Sequence, residues 1–154
     1  MPRIKLQPLA AYPFAHEIAV RTTDLNYGGH LGNDRLLALL HEARVAFLAT
    51  HGWTELDCGG VALIMGDAVV HFLGEAYAGD RLRVEVAAGE PTRAGFRLYY
   101  RATRPADGAP IALAETGLVC YDYATKRMVL LPDAVRAACQ AAPPAAPPPA
   151  KRTW

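Results

Sequence analysis

The chain has 154 residues, 52% of them hydrophobic and 20% charged, with 16 Lys plus Arg against 15 Asp plus Glu and a formal charge of +1. That length suits one domain with a packed core and is short for two, and the composition excludes a disordered chain. The even charge balance argues against a dedicated nucleic-acid binder, which carries a basic face or stripe, yet leaves room for a few cations around a phosphorylated ligand.

The three cysteines, Cys58, Cys120 and Cys139, are odd in number and far apart. No pair has metal-ligand spacing, so neither a zinc site nor a disulfide framework is expected, and they read as buried thiols of a reducing compartment. The first twenty residues hold no continuous apolar signal core. No apolar run reaches the ~20 residues of a membrane helix. The expected setting is cytoplasmic, without membrane or nucleic-acid partners.

Residues 1–15 form an N-terminal extension before the first patterned segment. His16 to Thr22 (HEIAVRT) alternates apolar and polar residues and predicts a strand. TDLNYGGHLGND comes next, rich in Asp, Asn and Gly, which accept tight-turn geometry. From about Asn33 to His51, Leu36, Leu37, Leu40, Ala43, Phe47 and Leu48 recur at three- and four-residue steps, which predicts an amphipathic helix. Asn33 or Asp34 is its expected N-cap and Gly52 its stop.

Strand-like runs then alternate with turn residues: Val61 to Ala76, Arg81 to Glu90, Phe96 to Arg104, Ile111 to Asp122 and a short Arg127 to Pro132. The connections PTRAG, PADGAP and YATK read as hairpin turns, which makes their flanking strands antiparallel. DAVRAACQ predicts one or two helical turns, and AAPPAAPPPAKRTW from Ala141 predicts a Pro/Ala-rich disordered tail, so the domain spans 16–140. One long helix cannot bury its apolar face alone, and a single sheet needs one face covered. The expected architecture is α+β: five or six antiparallel strands wrapped around the 33–51 helix, the hotdog fold.

VRTTDLNYGGHLGNDRLLALLHEAR (Val20 to Arg44) resembles the opening signature of the 4-hydroxybenzoyl-CoA thioesterase-like family, V-R-x-x-D-x-D-x-x-G-H-V-N-N followed by a helix ending E-A-R. Asp24, Gly29, His30, Asn33, Glu42, Ala43 and Arg44 fall in register with it. The resemblance implies a homodimer or homotetramer that hydrolyses the thioester of an acyl-CoA or acyl carrier protein. It also implies two subunits joined edge to edge through the strand beginning near Val61, with the site at their interface. No metal or tightly bound cofactor is implied, coenzyme A entering as part of the substrate. Arg93 and Arg97 are candidates to hold its phosphates.

One position departs from the pattern. Where many members carry the second Asp of D-x-D as nucleophile or base, this chain has Asn26. A neutral amide cannot accept a proton as a carboxylate does, although it can orient a water or donate to an oxyanion. The candidates for base are Asp24, His30 and Glu42, each with a competing structural reading: a loop-fixing Asp, a loop-capping His, and a solvated or Arg44-paired Glu. Tyr27, Gly28, Gly29 and Asn33 are candidate substrate contacts, the glycines because they let a ligand approach backbone N–H groups at a helix start. His71, Asp67 and Glu75 lie on the long strand; Asp67 and Glu75 are potential site carboxylates, although ordinary strand roles explain all three. No G-x-S-x-G elbow is present.

Two other readings keep the fold. DLNYGGH resembles, with the Pro missing and His30 one residue late, the D-x-N-P-x-H loop of hotdog enoyl-CoA hydratases. Asn26 also fits a protein that holds an acyl thioester without turning it over.

Overall fold

The structure is a computed structural model that describes residues 4–141. Its elements run β1 (Phe14–Ala19), a 3-10 turn (Thr22–Asp24), α1 (Asn33–Ala49), β2 (Ala62–Phe72), β3 (Arg81–Gly89), β4 (Gly95–Arg104), β5 (Ala109–Asp122), β6 (Arg127–Met128) and α2 (Asp133–Gln140). The tail expected from Ala141 lies, apart from that residue, outside the described residues.

The sheet is antiparallel with order β1-β3-β4-β5-β2, and β6 pairs β5. PTRAG, PADGAP and YATK close the hairpins as expected, whereas AYAGD is a crossover: β2 pairs β5 and the chain then crosses to place β3 beside β1. β6 is only two residues long, shorter than the Arg127–Pro132 expectation. Pro132 takes an extended backbone and begins α2, which ends the strand run.

α1 packs its buried apolar residues Leu36, Leu39, Leu40, Ala43, Phe47 and Leu48 into one cluster with Leu82, Val84, Val86, Leu98, Tyr100 and Ile111 of the sheet. Leu37 is 40% exposed, because steps of three and four from Leu36 lead to Leu39 and Leu40 and leave Leu37 round the helix. The N-cap is Gly32, not Asn33 or Asp34: Gly32 is extended (φ −68°, ψ 148°) and its carbonyl accepts the first helical bond from Leu36 N at 3.0 Å. The helix ends at Ala49 with Thr50 as its C-cap, two residues short of the expected His51, and Gly52 closes the turn that follows with φ +74°.

Arg44, in the E-A-R that opens the helix's second half, is buried and donates from Nε to Glu55 Oε1 at 2.8 Å. His41 Nε2 meets the other oxygen of Glu55 at 3.1 Å. Glu55, and not Glu42, is therefore the partner of Arg44. Leu6 to Tyr12 of the N-terminal extension pack against the sheet. Leu9 is buried, Leu6 N–H reaches His71 Nδ1 at 3.5 Å, and the Tyr12 ring lies 4.7 Å from the Arg101 guanidinium carbon. Phe14 and Ala15, expected within the extension, belong to β1. No helix among the described residues is long and apolar enough to cross a membrane.

Candidate active site

The loop between the 3-10 turn and α1 closes as a small hairpin. Leu25 bridges Leu31, Asn26 N donates to His30 O at 2.8 Å and Gly29 N to Asn26 O at 3.1 Å. Gly29 supplies the left-handed backbone the turn requires, φ +80°. Gly28 N is also engaged, by Asn26 Oδ1 at 2.9 Å. The two glycines thus build the turn, and their amides face inward onto Asn26. Tyr27, at the tip, is fully exposed.

Asp24 anchors this loop from below. Its carboxylate is 1% exposed and accepts from Arg21 N at 2.8 Å, from Arg21 Nε at 3.2 Å and from an Arg21 terminal nitrogen at 3.1 Å. The Arg21 bonds hold its pKa below the ordinary carboxylate value. Its backbone carbonyl also accepts from Gly32 N at 3.0 Å, at the start of α1.

The hydrogen bonds favour one tautomer of His30. A backbone N–H can only donate, so the Asn26 atom facing Gly28 N is the amide oxygen. Asn26 Nδ2 then faces His30 Nδ1, at 3.4 Å. An amide NH2 only donates, so Nδ1 is the acceptor and the neutral imidazole carries its proton on Nε2. That Nε2 lies 3.8 Å from Glu75 Oε1.

Glu75 comes just after β2. Leu73 N and Gly74 N both donate to Ile111 O, at 2.8 and 3.2 Å, and Ala76 O accepts from Leu31 N at 2.8 Å. Residue 74 must be glycine, since a Cβ would stand 2.5 Å from Pro110 O. The strand exit is thus stitched both to β5 and to the His30 loop, and Glu75 is held opposite His30. Tyr77 Oη donates to Glu75 Oε2 at 2.7 Å, and this bond raises the Tyr77 pKa.

His30, Gly32 and Asn33 on one side and Phe72, Glu75 and Ile111 on the other line a cleft of about 310 Å3. The start of α1 opens into it. The N–H groups of Asn33, Asp34 and Arg35 have no intrahelical acceptor, and Gly32 offers no side-chain cap. These free amides, with the positive end of the helix dipole, suit an oxygen that gains negative charge.

Glu42 is not in the cleft. It lies nine residues beyond Asn33, about 13 Å along the axis at ~1.5 Å per residue, and faces His16 Nε2 at 3.6 Å. Of the residues singled out in the sequence, the structure brings Asn26, His30 and Asn33 together with Gly28 and Gly29 behind them. It sets Asp24 beneath the loop and Glu42 apart. Glu75 reads from the sequence as an ordinary strand-end carboxylate; no motif joins it to His30, and only the β2 exit does.

A roomier cavity, about 730 Å3, lies elsewhere, over β4 and β5, and includes Asp67 and Arg97. Arg97 bonds Asp67 at 3.0 Å and Glu115 at 3.0 Å. Two carboxylates already neutralise it, so the expectation that it holds a phosphate is corrected. Arg93 is exposed. The three cysteines are free and buried as expected. Among the described residues no cluster of three or more His, Cys, Asp or Glu could hold a metal ion.

Residues 20–139 match the model of the Thioesterase-like superfamily. The chain belongs to this family. A 1,4-dihydroxy-2-naphthoyl-CoA hydrolase of Synechococcus elongatus is 32% identical over 130 residues, covering 81% of this chain and 92% of the relative. Among solved structures, a 1,4-dihydroxy-2-naphthoyl-CoA thioesterase from Synechocystis superposes with a TM-score of 0.74 at 24% identity, over 83% of this chain and 96% of that one. A thioesterase complexed with coenzyme A and Zn from Thermus thermophilus has a TM-score of 0.70 at 23% identity, over 83% and 98%. The expected α+β hotdog architecture is the one observed. These relatives are hydrolases and thioesterases, which leaves the hydratase resemblance of the loop without support.

Proposed function

We propose that the chain hydrolyses the thioester of an aromatic acyl-CoA, releasing the free acid and coenzyme A. The observation that carries this is the uncapped start of α1 opening into a cleft that also holds His30 and Glu75. Thioester hydrolysis needs donors for the developing oxyanion and a polar site for water, and the cleft offers both. The carbonyl oxygen would sit at the first turn of α1, where Gly32 and Asn33 line the cleft and the dipole favours negative charge most as the tetrahedral intermediate forms. The aromatic preference takes its support from the Synechococcus relative, a hydrolase of a naphthoyl-CoA. The coenzyme A bound in the Thermus thioesterase supports the choice of carrier over an acyl carrier protein.

The active form is a dimer joined through β2. That strand is an edge of the sheet, paired among the described residues only to β5, and Met65 and Phe72 on it are each 50% exposed. Joining two such edges removes an unpaired ladder and covers these side chains. The buried free thiols suit a reducing cytoplasmic compartment.

The test is thiol release from a panel of acyl-CoAs, acetyl to palmitoyl plus benzoyl, phenylacetyl and 1,4-dihydroxy-2-naphthoyl, together with sedimentation of the purified protein. Turnover highest on an aromatic member, from a dimer or tetramer, is expected. Tight acyl-CoA binding with no turnover would favour the second reading, a non-catalytic binder, to which Asn26 in the catalytic Asp position points.

A further inference from the structure

The family's loop carboxylate is absent at Asn26, Asp24 is closed off by Arg21, and Glu42 stands apart from the cleft. His30 lies in the cleft, but with Nδ1 taken by Asn26 Nδ2 it turns Nε2–H, a donor, toward a water, so hydrolysis there needs another proton acceptor. Resting on the hydrolytic reading, we propose that Glu75 is the general base, that His30 orients the attacking water with it, and that Asn26 is the positioning residue that sets the tautomer of His30.

Four geometric facts support this. The 3.8 Å between His30 Nε2 and Glu75 Oε1 is too long for a hydrogen bond and fits a water bridging the two. Such a water needs one donor and one acceptor, and the Asn26 contact supplies that polarity: Nδ1 is occupied at 3.4 Å as an acceptor, so Nε2–H points outward as the donor. Tyr77 occupies the other carboxylate oxygen, Oε2, at 2.7 Å, which leaves Oε1 toward His30. The same cleft places the start of α1 beside the pair. A water held there lies next to the free amides that would take the thioester carbonyl oxygen.

The step balances without a co-reactant. Water oxygen bonds to the thioester carbonyl carbon while Glu75 Oε1 takes one of its protons, and the carbonyl π pair moves onto oxygen at the α1 amides. The tetrahedral intermediate then reforms the carbonyl. The C–S bond breaks with its pair going to sulfur, and Glu75 returns the proton to the thiolate. The products are the acid and the thiol, and the protein is regenerated. An Asp at position 26 would instead accept from His30 Nδ1–H and bare Nε2, so the substitution of Asn for Asp and the use of Glu75 belong to one arrangement.

The test uses the full chain and whichever acyl-CoA the panel shows to be turned over. Glu75 is 60% exposed in its side chain, so Glu75→Gln is expected to fold, checked by its thermal melt. Its kcat should fall by roughly 10²–10⁴-fold with KM within about threefold, the range lost with a general base. Glu75→Ala should regain part of its rate with added sodium formate, a small carboxylate that can occupy the vacated volume. The 15N spectrum of labelled wild-type protein should show His30 protonated on Nε2 and bare on Nδ1 at neutral pH. A Glu75→Gln kcat within threefold of wild type, a loss carried in KM alone, no formate rescue, or the opposite His30 tautomer would each overturn the proposal while leaving thioester hydrolysis intact. A wild type that turns over no acyl-CoA would reject the hydrolytic reading, and this one with it.

Discussion

Replacing Asp24 by Asn separates a loop anchor from a catalytic carboxylate. The variant keeps the size of the side chain and removes its charge, placing an NH2 against donors of Arg21. The bond from Arg21 N, at 2.8 Å to a buried carboxylate, contributes about 1.5–3 kcal/mol as a hydrogen bond to a charged group. The guanidinium bonds add less, because the Arg21 side chain is 70% exposed and screened by water. The expected loss is about 2–3 kcal/mol, or a fall of roughly 10 °C in Tm for a domain of this size.

The pH dependence has a definite sign. Arg21 lowers the folded pKa of Asp24, so its contribution is fully present above the unfolded value of about 3.9 and is lost as pH falls through the folded value. The stability gap between wild type and Asp24→Asn should be constant from neutral pH to about pH 5 and close in more acid solution. Urea unfolding at a series of pH values, alongside thiol-release kinetics, reads both quantities. Stability within 0.5 kcal/mol of wild type (roughly the scale of a neutral surface change) together with abolished hydrolysis would refute the anchor and return Asp24 to the chemistry.

Other consequences are open to direct test. Leu40, 1% exposed at the centre of the α1 face, should cost about 2–5 kcal/mol on truncation to Ala, read by chemical unfolding. Gly74→Ala would put a Cβ 2.5 Å from Pro110 O. The β2 exit that carries Glu75 must then shift, and kcat should fall by at least about tenfold, since small misplacements of reacting groups are costly. Burial pushes the Cys58 thiol up to about 12 and that of Cys139 to about 11. Both should resist a thiol reagent at pH 8 in the native protein and react once urea unfolds it, because only the thiolate is the nucleophile.

What could be read in the sequence was what periodicity and turn chemistry encode locally. The α1 helix, the three hairpins and α2 come from spacing and from Gly, Pro and Asp at the turns. The covered sheet comes from the single apolar-faced helix. What could not be read is set by distant pairing. The AYAGD connection carries the same residues as a hairpin, yet β2 finds its long partner in β5, and only tertiary contact decides between them. The pairing of Arg44 with Glu55 in place of its near neighbour Glu42 depends on how the segment after α1 folds back.

The site divides along the same line. Asn26, His30 and Asn33 lie within one loop and helix start, and the family signature marks them together. Glu75 is forty-five residues beyond His30 and reaches it through Leu31 N on Ala76 O, a backbone bond that leaves no trace in residue type. Asp24 shows the converse. Its residue type permits catalysis or anchoring, and only the three Arg21 bonds give it the second role.

The most direct measurement of the central claim is a single turnover in H218O, with protein in excess over an aromatic acyl-CoA, followed by mass spectrometry of the released acid and of the peptide bearing Glu75. Hydrolysis by an activated water predicts complete thiol release, one 18O atom in the acid and an unlabelled peptide. Thiol release with 18O in the Glu75 peptide would mean that the carboxylate attacked the thioester itself, and no thiol release at all would contradict the assignment of this chain as a thioester hydrolase.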